Sequence, residues 1–358
     1  MSTTGLPHPS TFPFLSLSAD VRSMAPATTA KKGSSQEVVT VPHTPTPGKI
    51  ESLSSSLQEG MSAVALKTVL DNWGSNPDQA TETKPRVVYL IPTGQNPTGT
   101  TMSVQRRHDI MRVAQEHNLI LIEDDPYYYL QFSAGDNQSE GGQGLMPTLL
   151  SLDTDGRVIR LDTFSKTLAP GCRTGYITAN AHFCDIFQYH NEVTIQQPSG
   201  FSQALLAEML VSHWGQEGYR RYLTENVRTE YVERSRHLQR CFHQYVNAKH
   251  ASFNAPSAGM FLWIKIHVEQ HPRYGTVSDS ALMLEIFNKC VAHNVLLVPG
   301  WEFSSKPKPP GVDLSDLQNI WTDDAATYLR ATYAYASFED MESAMKRYGK
   351  ALEEFFAV

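Results

Sequence analysis

The spacing of apolar residues changes along the chain, and these changes predict its secondary structure. Ser62 can cap a helix, and Leu66, Val69, Leu70 and Trp73 follow it at the i, i+3, i+4, i+7 spacing of one helix face. The pattern therefore predicts an amphipathic helix that begins directly after Ser62.

Four short apolar runs that end in turns predict buried strands: VVYLIPTG, LILIEDDPY, RVIRLDTFS and GYITAN. Between the first two, SVQRRHDIMRVAQEHN has a helical pattern with Ser103 as its cap. Continuous apolar strands that alternate with helices are typical of a largely parallel sheet covered on both faces. We therefore expect an α/β domain here.

The last third of the chain predicts a smaller α+β unit. A polar helical segment begins near residue 217 and leads to the strand-like runs GMFLWIKI, VLLVPG and YLRATYAYA. Helical spacing at residues 282–290 and 341–352 supplies two further helices.

Residues 1–48 differ from both parts, because they are rich in Ser, Thr and Pro and contain no periodic segment. A chain of 358 residues also exceeds one average domain. We therefore predict an N-terminal arm or linker over 1–48, a large domain over 49–225 and a small C-terminal domain over 226–358.

Composition narrows the classes of function. The chain is 41% hydrophobic and 19% charged, as in a soluble globular protein. Its 30 basic and 37 acidic residues give a net charge of −7 without long runs of either sign, which argues against a nucleic acid or an anionic membrane as partner. The 13 histidines show no metal-ligand spacing, so no metal site is expected.

The spacing of the cysteines indicates the redox state of the cellular compartment. Cys172, Cys184, Cys241 and Cys290 are widely separated and include no CxxC pair, which favours a reducing compartment over a disulfide framework. The N-terminal residues show no secretory pattern, and apolar runs such as LILI are too short to span a bilayer. The chain is therefore predicted to be cytoplasmic.

Candidate chemistry collects where the predicted strands end. Asn96 follows VVYLI, Asp124 and Tyr127 follow LILI, and Ser165 and Lys166 follow VIRL. Ligands of open parallel sheets bind beyond the carboxyl ends of the strands. These side chains are therefore expected to line one site.

Lys166 lies in DTFSKTLAPGCRTGY, with Arg173 seven residues later. A lysine that forms a Schiff base must be neutral, and partial desolvation beside a cation favours the neutral amine. Arg173 can bind a phosphate through its planar fork of donors, with the hydroxyls of Thr163 and Ser165 as further donors. A surface loop with a solvated lysine is the alternative that this motif alone leaves open.

The other candidates are each open to two interpretations. Asp124 can pair with a protonated pyridine nitrogen while Tyr127 bonds a phenolate oxygen, or EDDPYY can be a charged turn. Asn96 presents an amide at a strand end, or belongs to an ordinary Asn-Pro turn. Arg330 in YLRATY can bind a substrate carboxylate, or can pair with an internal Asp or Glu.

The order of these motifs is more specific than any one of them. GLPHPSTFPF, IPTGQNPTG, IEDDPYYYLQF and DTFSKTLAPGCRTGY, followed by the late Arg330, resemble class I aminotransferases of fold type I, which use pyridoxal 5'-phosphate. The resemblance is narrowest to the branch of fungal aromatic amino-acid aminotransferases and kynurenine/2-aminoadipate aminotransferases. It covers residues 5–14 and about 49–358, and it implies an α/β large domain with a mainly parallel sheet and a smaller α+β domain.

The resemblance also implies roles for the residues that bind the cofactor's reactive and charged ends. Lys166 is expected to be the catalytic lysine that binds the cofactor covalently and then removes the α-proton of the substrate as a base. Arg173 is expected to bind the cofactor phosphate, with Ser165 beside it and Thr163 contributing.

Four further roles follow from the same resemblance. Asp124 is expected to pair with the pyridine nitrogen, and Tyr127 and Asn96 are expected to bind the ring oxygen O3′. Arg330 is expected to bind the α-carboxylate of the substrate. An aromatic L-amino acid donor, a 2-oxo acid acceptor and a homodimer are implied as well. A C–S lyase on the same cofactor and a truncated, catalytically impaired relative are the alternatives.

One part of the family pattern is missing between the GLPHPSTFPF arm, whose Gly5 and Leu6 are expected to close over the site, and Lys49. That block normally supplies a helix N-terminus for the phosphate, an aromatic ring that stacks on the pyridine, early strands of the sheet and part of the dimer contact. VRSMAPATTAKKGSSQEVVTVPHTPTPG has no apolar periodicity that could replace it. We therefore expect the large domain to be incomplete.

Overall fold

A computed structural model describes the chain over residues 55–56, 59–73, 84–132, 144–303 and 324–357. Gly5, Leu6 and the rest of the predicted arm lie outside these ranges. None of the helices within them has an apolar stretch long enough to cross a bilayer.

The described chain opens with a small hairpin and the first helix. Strands β1 (Ser55–Ser56) and β2 (Gly60–Met61) pair antiparallel, and α1 (Ala63–Asp71) follows. The Ser62 hydroxyl accepts a hydrogen bond from the backbone N–H of Ala65 at 3.2 Å, which confirms the predicted N-cap. Leu66 and Leu70 are buried, as the helical spacing predicts.

A four-stranded sheet forms the core of the first unit. Its elements in chain order are β3 (Val87–Leu90), α2 (Val104–Glu116), β4 (Ile120–Asp124), α3 (Leu149–Leu152), β5 (Val158–Thr163) and β6 (Gly175–Thr178). The strand order is β3-β4-β5-β6, with β3, β4 and β5 parallel and β6 antiparallel to β5. Helical crossovers allow the parallel pairs, whereas no long helix separates β5 from β6. The mainly parallel sheet is thereby confirmed.

The edge strand β3 is well covered on only one face within the described residues. Leu66 of α1 and Ile110 of α2 belong to one hydrophobic cluster with Leu121 and Val158 of the sheet. On the edge strand β3, alternate side chains face away from that cluster, and Val87 and Tyr89 are about half exposed. The prediction of a sheet covered on both faces is therefore wrong for this edge of the described structure.

A long helical stretch leads from the first sheet to the second. It contains α4 (Ala181–Val193), α5 (Gly200–Ala207), α6 (Gly215–Arg221) and α7 (Arg228–Tyr245), with π-helical turns at Glu208–Trp214 and Tyr222–Val227. The polar helical segment predicted from residue 217 is confirmed. The predicted domain boundary at residue 225 falls inside the second π-helical turn and stays a prediction.

The second unit is an antiparallel sheet with helices packed on it. Its elements are β7 (Ala251–Phe253), β8 (Phe261–Ile266), α8 (Asp279–Ala292), β9 (Val298–Pro299), β10 (Tyr328–Thr332) and α9 (Phe338–Phe356). The strand order is β7-β8-β10-β9. Side chains of β8, β10, α7 and α9 share one hydrophobic cluster, so the predicted α+β unit is confirmed.

The two units meet at a close backbone contact. A Cβ atom added to Gly94 would lie 2.7 Å from the Cα of Gly259, so the turn after β3 lies against the chain that enters β8. The N–H of Gly259 donates to the carbonyl of Leu130 at 3.1 Å, and the N–H of Phe132 donates to the carbonyl of Ser257 at 2.8 Å. These contacts bring the turn that contains Asn96 next to the second sheet.

Candidate active site

Asp124 is the last residue of β4 and is only 5% exposed. Its carboxylate accepts a hydrogen bond from the hydroxyl of Tyr89, which lies on the neighbouring strand β3. Burial, together with the negative charge of Asp124, raises the pKa of Tyr89, so this phenol stays a protonated donor. The carboxylate is thus held at the carboxyl end of the parallel sheet, where the sequence predicts a ligand.

Lys166 follows β5 within a tight turn. The N–H of Ser165 donates to the hydroxyl of Thr163 at 3.1 Å, and the N–H of Phe164 donates to the carbonyl of Thr174 at 3.0 Å. The N–H of Leu168 donates a hydrogen bond to the carbonyl of Phe164 at 2.9 Å. The backbone on both sides of Lys166 is therefore fixed by hydrogen bonds.

The environment of Lys166 favours its neutral form. Burial of the side chain lowers the pKa of Lys166, and the positive charges of Arg173 and Arg330 lower it further. A neutral amine is a nucleophile and a base, whereas an ammonium is neither. The solvated surface lysine that the sequence left open does not describe this environment.

Arg173 lies beside the Lys166 turn in the left-handed backbone region, with φ of 45°. Its Nη1 is 3.5 Å from the Ser165 hydroxyl and 3.5 Å from the carbonyl oxygen of Pro170. Arg173 is exposed as a whole residue. A hydroxyl and a guanidinium together make an arrangement that suits a phosphate.

Tyr127 lies three residues after Asp124 and is 5% exposed. Its ring packs edge-on against Phe261, with 5.8 Å between the ring centroids. Burial raises the pKa of Tyr127, and Asp124 raises it further although the charge of Arg330 opposes this. Tyr127 therefore offers a neutral O–H donor on the side of the second sheet.

Arg330 lies in the middle of β10 and is 8% exposed. Its guanidinium carbon lies 4.3 Å from the ring centroid of Phe261 and 4.9 Å from that of Phe303. Its Nη1 donates a hydrogen bond to the side-chain carbonyl of Asn96 from the first unit. Burial lowers the pKa of Arg330. The site thus joins a cation of the second sheet to an amide of the first.

The structure brings the predicted residues together in overlapping groups. Asn96 contacts Arg330, and Ser165 contacts Arg173. The charges of both arginines lower the pKa of Lys166. Gly5 and Leu6 lie outside the described residues, so their roles remain predictions, as do the individual roles of the others.

Two contributors were not predicted from the sequence. Tyr89 binds Asp124, and the only sequence signal for it is its place on the strand that precedes the Asn96 turn. Arg160 lies among the carboxylates of Glu123, Asp125 and Asp162, and its position in an apolar strand was the available signal. A charged residue inside a buried strand requires buried partners.

Comparison with known proteins assigns the family. Residues 61–347 match the model of aminotransferase class I and II. An aromatic amino acid aminotransferase of Schizosaccharomyces pombe is 35% identical over 312 residues, which are 84% of this chain and 60% of that protein. An L-tyrosine:2-oxoglutarate aminotransferase of Serpula lacrymans is 33% identical over 332 residues, which cover 83% and 63% of the two chains.

Solved structures give the same result. The aminotransferase Aro8 of Candida albicans is 31% identical with a TM-score of 0.71, over 84% of this chain and 62% of that one. LysN of Thermus thermophilus, an alpha-aminoadipate aminotransferase complexed with N-(5'-phosphopyridoxyl)-L-leucine, is 25% identical with a TM-score of 0.66, over 85% and 65%. The chain therefore spans about 60% of the length of these relatives.

The family match and the two-sheet architecture agree. The mainly parallel sheet with a smaller antiparallel unit is the arrangement of fold-type I transferases, and membership implies use of pyridoxal phosphate. The chain belongs to the class I and II aminotransferase family.

Proposed function

We propose that this chain transfers the amino group of an aromatic L-amino acid to a 2-oxo acid by means of pyridoxal phosphate. The observation that supports it best is the environment of Lys166, a partly buried amine in the hydrogen-bonded turn after β5 whose pKa is lowered by burial and by the charges of Arg173 and Arg330. The names of relatives, which act on aromatic amino acids or on L-tyrosine and 2-oxoglutarate, support the substrate class.

The described residues supply donors that fit the cofactor. The buried carboxylate of Asp124 would hold a proton on the pyridine nitrogen, and the O–H of Tyr127 and the amide of Asn96 would bind the ring oxygen. Arg173 and Ser165 would bind the phosphate. Bound pyridoxal phosphate supplies an electron-withdrawing ring that makes the α-proton of the amino acid acidic.

Phosphate binding also involves Thr163 in this proposal. Its hydroxyl accepts from the N–H of Ser165 and donates to the carbonyl of Thr174 at 3.4 Å. Thr163 would therefore orient the Ser165 backbone at the phosphate rather than donate its own proton there.

Lys166 would move the proton. Because its pKa is lowered, its neutral amine is available at a lower pH than that of a surface lysine. The amine Nζ would take the α-proton of the amino acid and return a proton at the cofactor side. Water would then supply the keto oxygen as the 2-oxo acid leaves, and the amino group would stay with the bound cofactor until a second 2-oxo acid takes it up.

Arg330 would bind the α-carboxylate. Its guanidinium packs against the rings of Phe261 and Phe303, and its Nη1 donates a hydrogen bond to Asn96. A rigid, desolvated cation binds a carboxylate more strongly than a mobile surface arginine does. The aromatic walls would also exclude water from the ion pair.

We propose further that the chain acts as a cytoplasmic homodimer. All four cysteines are free, which supports a reducing compartment. Tyr189 and Val193 of α4 and Phe201 of α5 are 67%, 83% and 91% exposed, and a second copy that covers them would remove this apolar surface from water.

The proposal is tested by adding pyridoxal phosphate to the purified chain and recording the visible absorption of the bound cofactor. L-Tyrosine with 2-oxoglutarate should then give an aromatic 2-oxo acid and glutamate. Faster turnover with L-aspartate than with any aromatic donor would contradict the substrate class. Release of pyruvate and a thiol from a cysteine conjugate would indicate a C–S lyase instead.

A further inference from the structure

We propose that Arg160 is a positioning residue of the candidate active site: it clamps the carboxyl ends of β4 and β5 and so sets the placement of Asp124 relative to Lys166. The proposal rests on the proposed function, because only that function gives Asp124 and Lys166 their roles toward the cofactor. The effect of Arg160 on the placement of Lys166 can be tested on the chain without any cofactor.

Arg160 contacts carboxylates from both strands. Its Nη1 lies 2.9 Å from Asp125 Oδ2 and 3.2 Å from Glu123 Oε1. Its Nε lies 2.8 Å from Asp162 Oδ2, and its Nη2 donates to Asp162 Oδ1 at 2.9 Å. One planar guanidinium therefore binds the two residues that flank Asp124, one on β4 and one directly after it, and the residue that precedes Thr163 on β5.

The clamp lies on the opposite face of the sheet from Asp124. Glu123 pairs with Arg160 across the parallel strands, and Asp124 pairs with Leu161. Because side chains alternate along a strand, Glu123 and Arg160 face one side while Asp124 faces Tyr89 on the other. The clamp thus fixes the backbone that supports Asp124 without touching the Asp124 carboxylate.

The network is dry. Arg160, Glu123 and Asp125 are 5%, 0% and 1% exposed. Although burial disfavours a charged arginine, the carboxylates of Asp125, Asp162 and Glu123 raise the pKa of Arg160. A buried network of this kind holds its members in one arrangement only when the hydrogen-bond geometry is satisfied.

The network also reaches the neighbouring turns. Glu123 accepts from the N–H groups of Leu149 and Leu150 at 2.8 and 3.1 Å, which ties in the start of α3. The guanidinium of Arg160 lies 4.6 Å from the ring centroid of Tyr128, the residue after Tyr127. Removal of the clamp would therefore loosen the turn of Tyr127 as well as the end of β5.

The test separates the charge of Arg160 from its geometry. Arg160→Lys keeps the positive charge but loses the planar fork, because one ammonium cannot hold three carboxylates at these positions. Native folding is checked by circular dichroism and urea unfolding. Positioning is measured as the pH at which Lys166 of the cofactor-free protein is half reactive toward an amine-acylating reagent, read by peptide mass spectrometry.

We expect Arg160→Lys to fold and to raise the half-reaction pH of Lys166 by about one unit, because the amine moves away from Arg173 and Arg330 into water. The dissociation constant of the Arg160→Lys variant for pyridoxal phosphate should rise about tenfold, as expected from one misplaced charged contact. Arg157→Lys is the matched control at the other end of β5, where Arg157 binds the carbonyls of Ala114 and Leu119. This control should leave both quantities unchanged.

Asp162→Asn is the second variant, because it keeps Arg160 and removes one acceptor charge. It should shift Lys166 in the same direction by a smaller amount. An unchanged half-reaction pH in a folded Arg160→Lys protein overturns the proposal, and so does failure of both variants to fold, which would make the network a folding element only. A shift in a chain that never binds pyridoxal phosphate would support the clamp and contradict the proposed function.

Discussion

Lys166 differs from a surface lysine in two respects that act in the same direction. Burial lowers its pKa below the ordinary value of 10.5, and the positive charges of Arg173 and Arg330 lower it further. Both effects oppose protonation, so the fraction of neutral amine at a given pH exceeds that of an exposed lysine. A nucleophile and base near neutral pH requires this state.

Lys166→Ala should abolish the covalent link to pyridoxal phosphate. Borohydride reduction of the wild-type chain with the cofactor should mark the peptide that contains Lys166, as read by mass spectrometry, and the variant should show no marked peptide. Lys249→Ala, on the exposed surface after α7, is the control and should behave as wild type. A reducible adduct that persists in Lys166→Ala would exclude Lys166 from this role.

Arg330→Ala should mainly raise KM for both the amino acid and the 2-oxo acid. The substitution removes a desolvated charge partner of the carboxylate, which corresponds to a loss on the order of 2–5 kcal/mol in binding. Steady-state kinetics with L-tyrosine and 2-oxoglutarate measure the effect. A KM equal to that of wild type would mean that Arg330 serves an internal contact instead.

At the scale of elements, the turn after β3 is fixed from both units. Arg107 of α2, which is fully buried, donates to the carbonyl of Pro92 at 3.2 Å and to the hydroxyl of Thr93 at 3.0 Å. The N–H of Gly94 donates to the Thr101 hydroxyl at 3.0 Å. Asn96 therefore lies on a rigid turn, and the approach of Gly259 requires a glycine at Gly94.

Gly94→Ala should destabilise the fold by about 2 kcal/mol or more. The φ of 55° disfavours any side chain, and the new Cβ would lie 2.7 Å from the backbone of Gly259. Urea unfolding measures the change. Gly200→Ala is the control, because Gly200 begins α5 and has no atom within 4 Å of an added Cβ, so the substitution should be neutral or slightly stabilising. Equal stability of both variants would show that the turn moves aside easily.

At the scale of the whole molecule, the described structure leaves apolar surface open. Val87 and Tyr89 on the edge strand β3 are 50% and 51% exposed, and Val193 and Phe201 are more exposed still. An uncovered sheet edge with apolar side chains favours association. The chain also spans about 60% of the length of its relatives. Both observations agree with the expected absence of a family block before Lys49.

As it stands, the chain should bind pyridoxal phosphate weakly and transaminate poorly. A phosphate gains much of its binding from backbone N–H groups at a helix N-terminus, and the block expected before Lys49 is the part of the family pattern that supplies this helix. The exposed apolar surface should also make the chain tend to aggregate. Insertion of a family-like block between Gly48 and Lys49 should raise both cofactor occupancy and solubility, measured by absorbance and by size-exclusion chromatography. A 358-residue chain that purifies without aggregation, saturated with cofactor and fully active, would contradict this prediction.

Local features were determined by the sequence alone. The helix caps at Ser62 and Ser103 and the strands before Asn96, Asp124 and Lys166 follow from residue type and spacing within a few positions, because they depend on local hydrogen bonds and on apolar periodicity. The order of the motifs along the chain was enough to indicate the family.

Contacts between distant segments were decided only by the tertiary structure. Asn96 and Arg330 are 234 residues apart in sequence, yet they share a hydrogen bond because the turn after β3 lies against the second sheet. Tyr89 meets Asp124, and Arg160 meets Asp162 and two acids at the end of β4, because strand register decides which side chains share a face. Register and packing depend on the whole fold, and no local pattern specifies them.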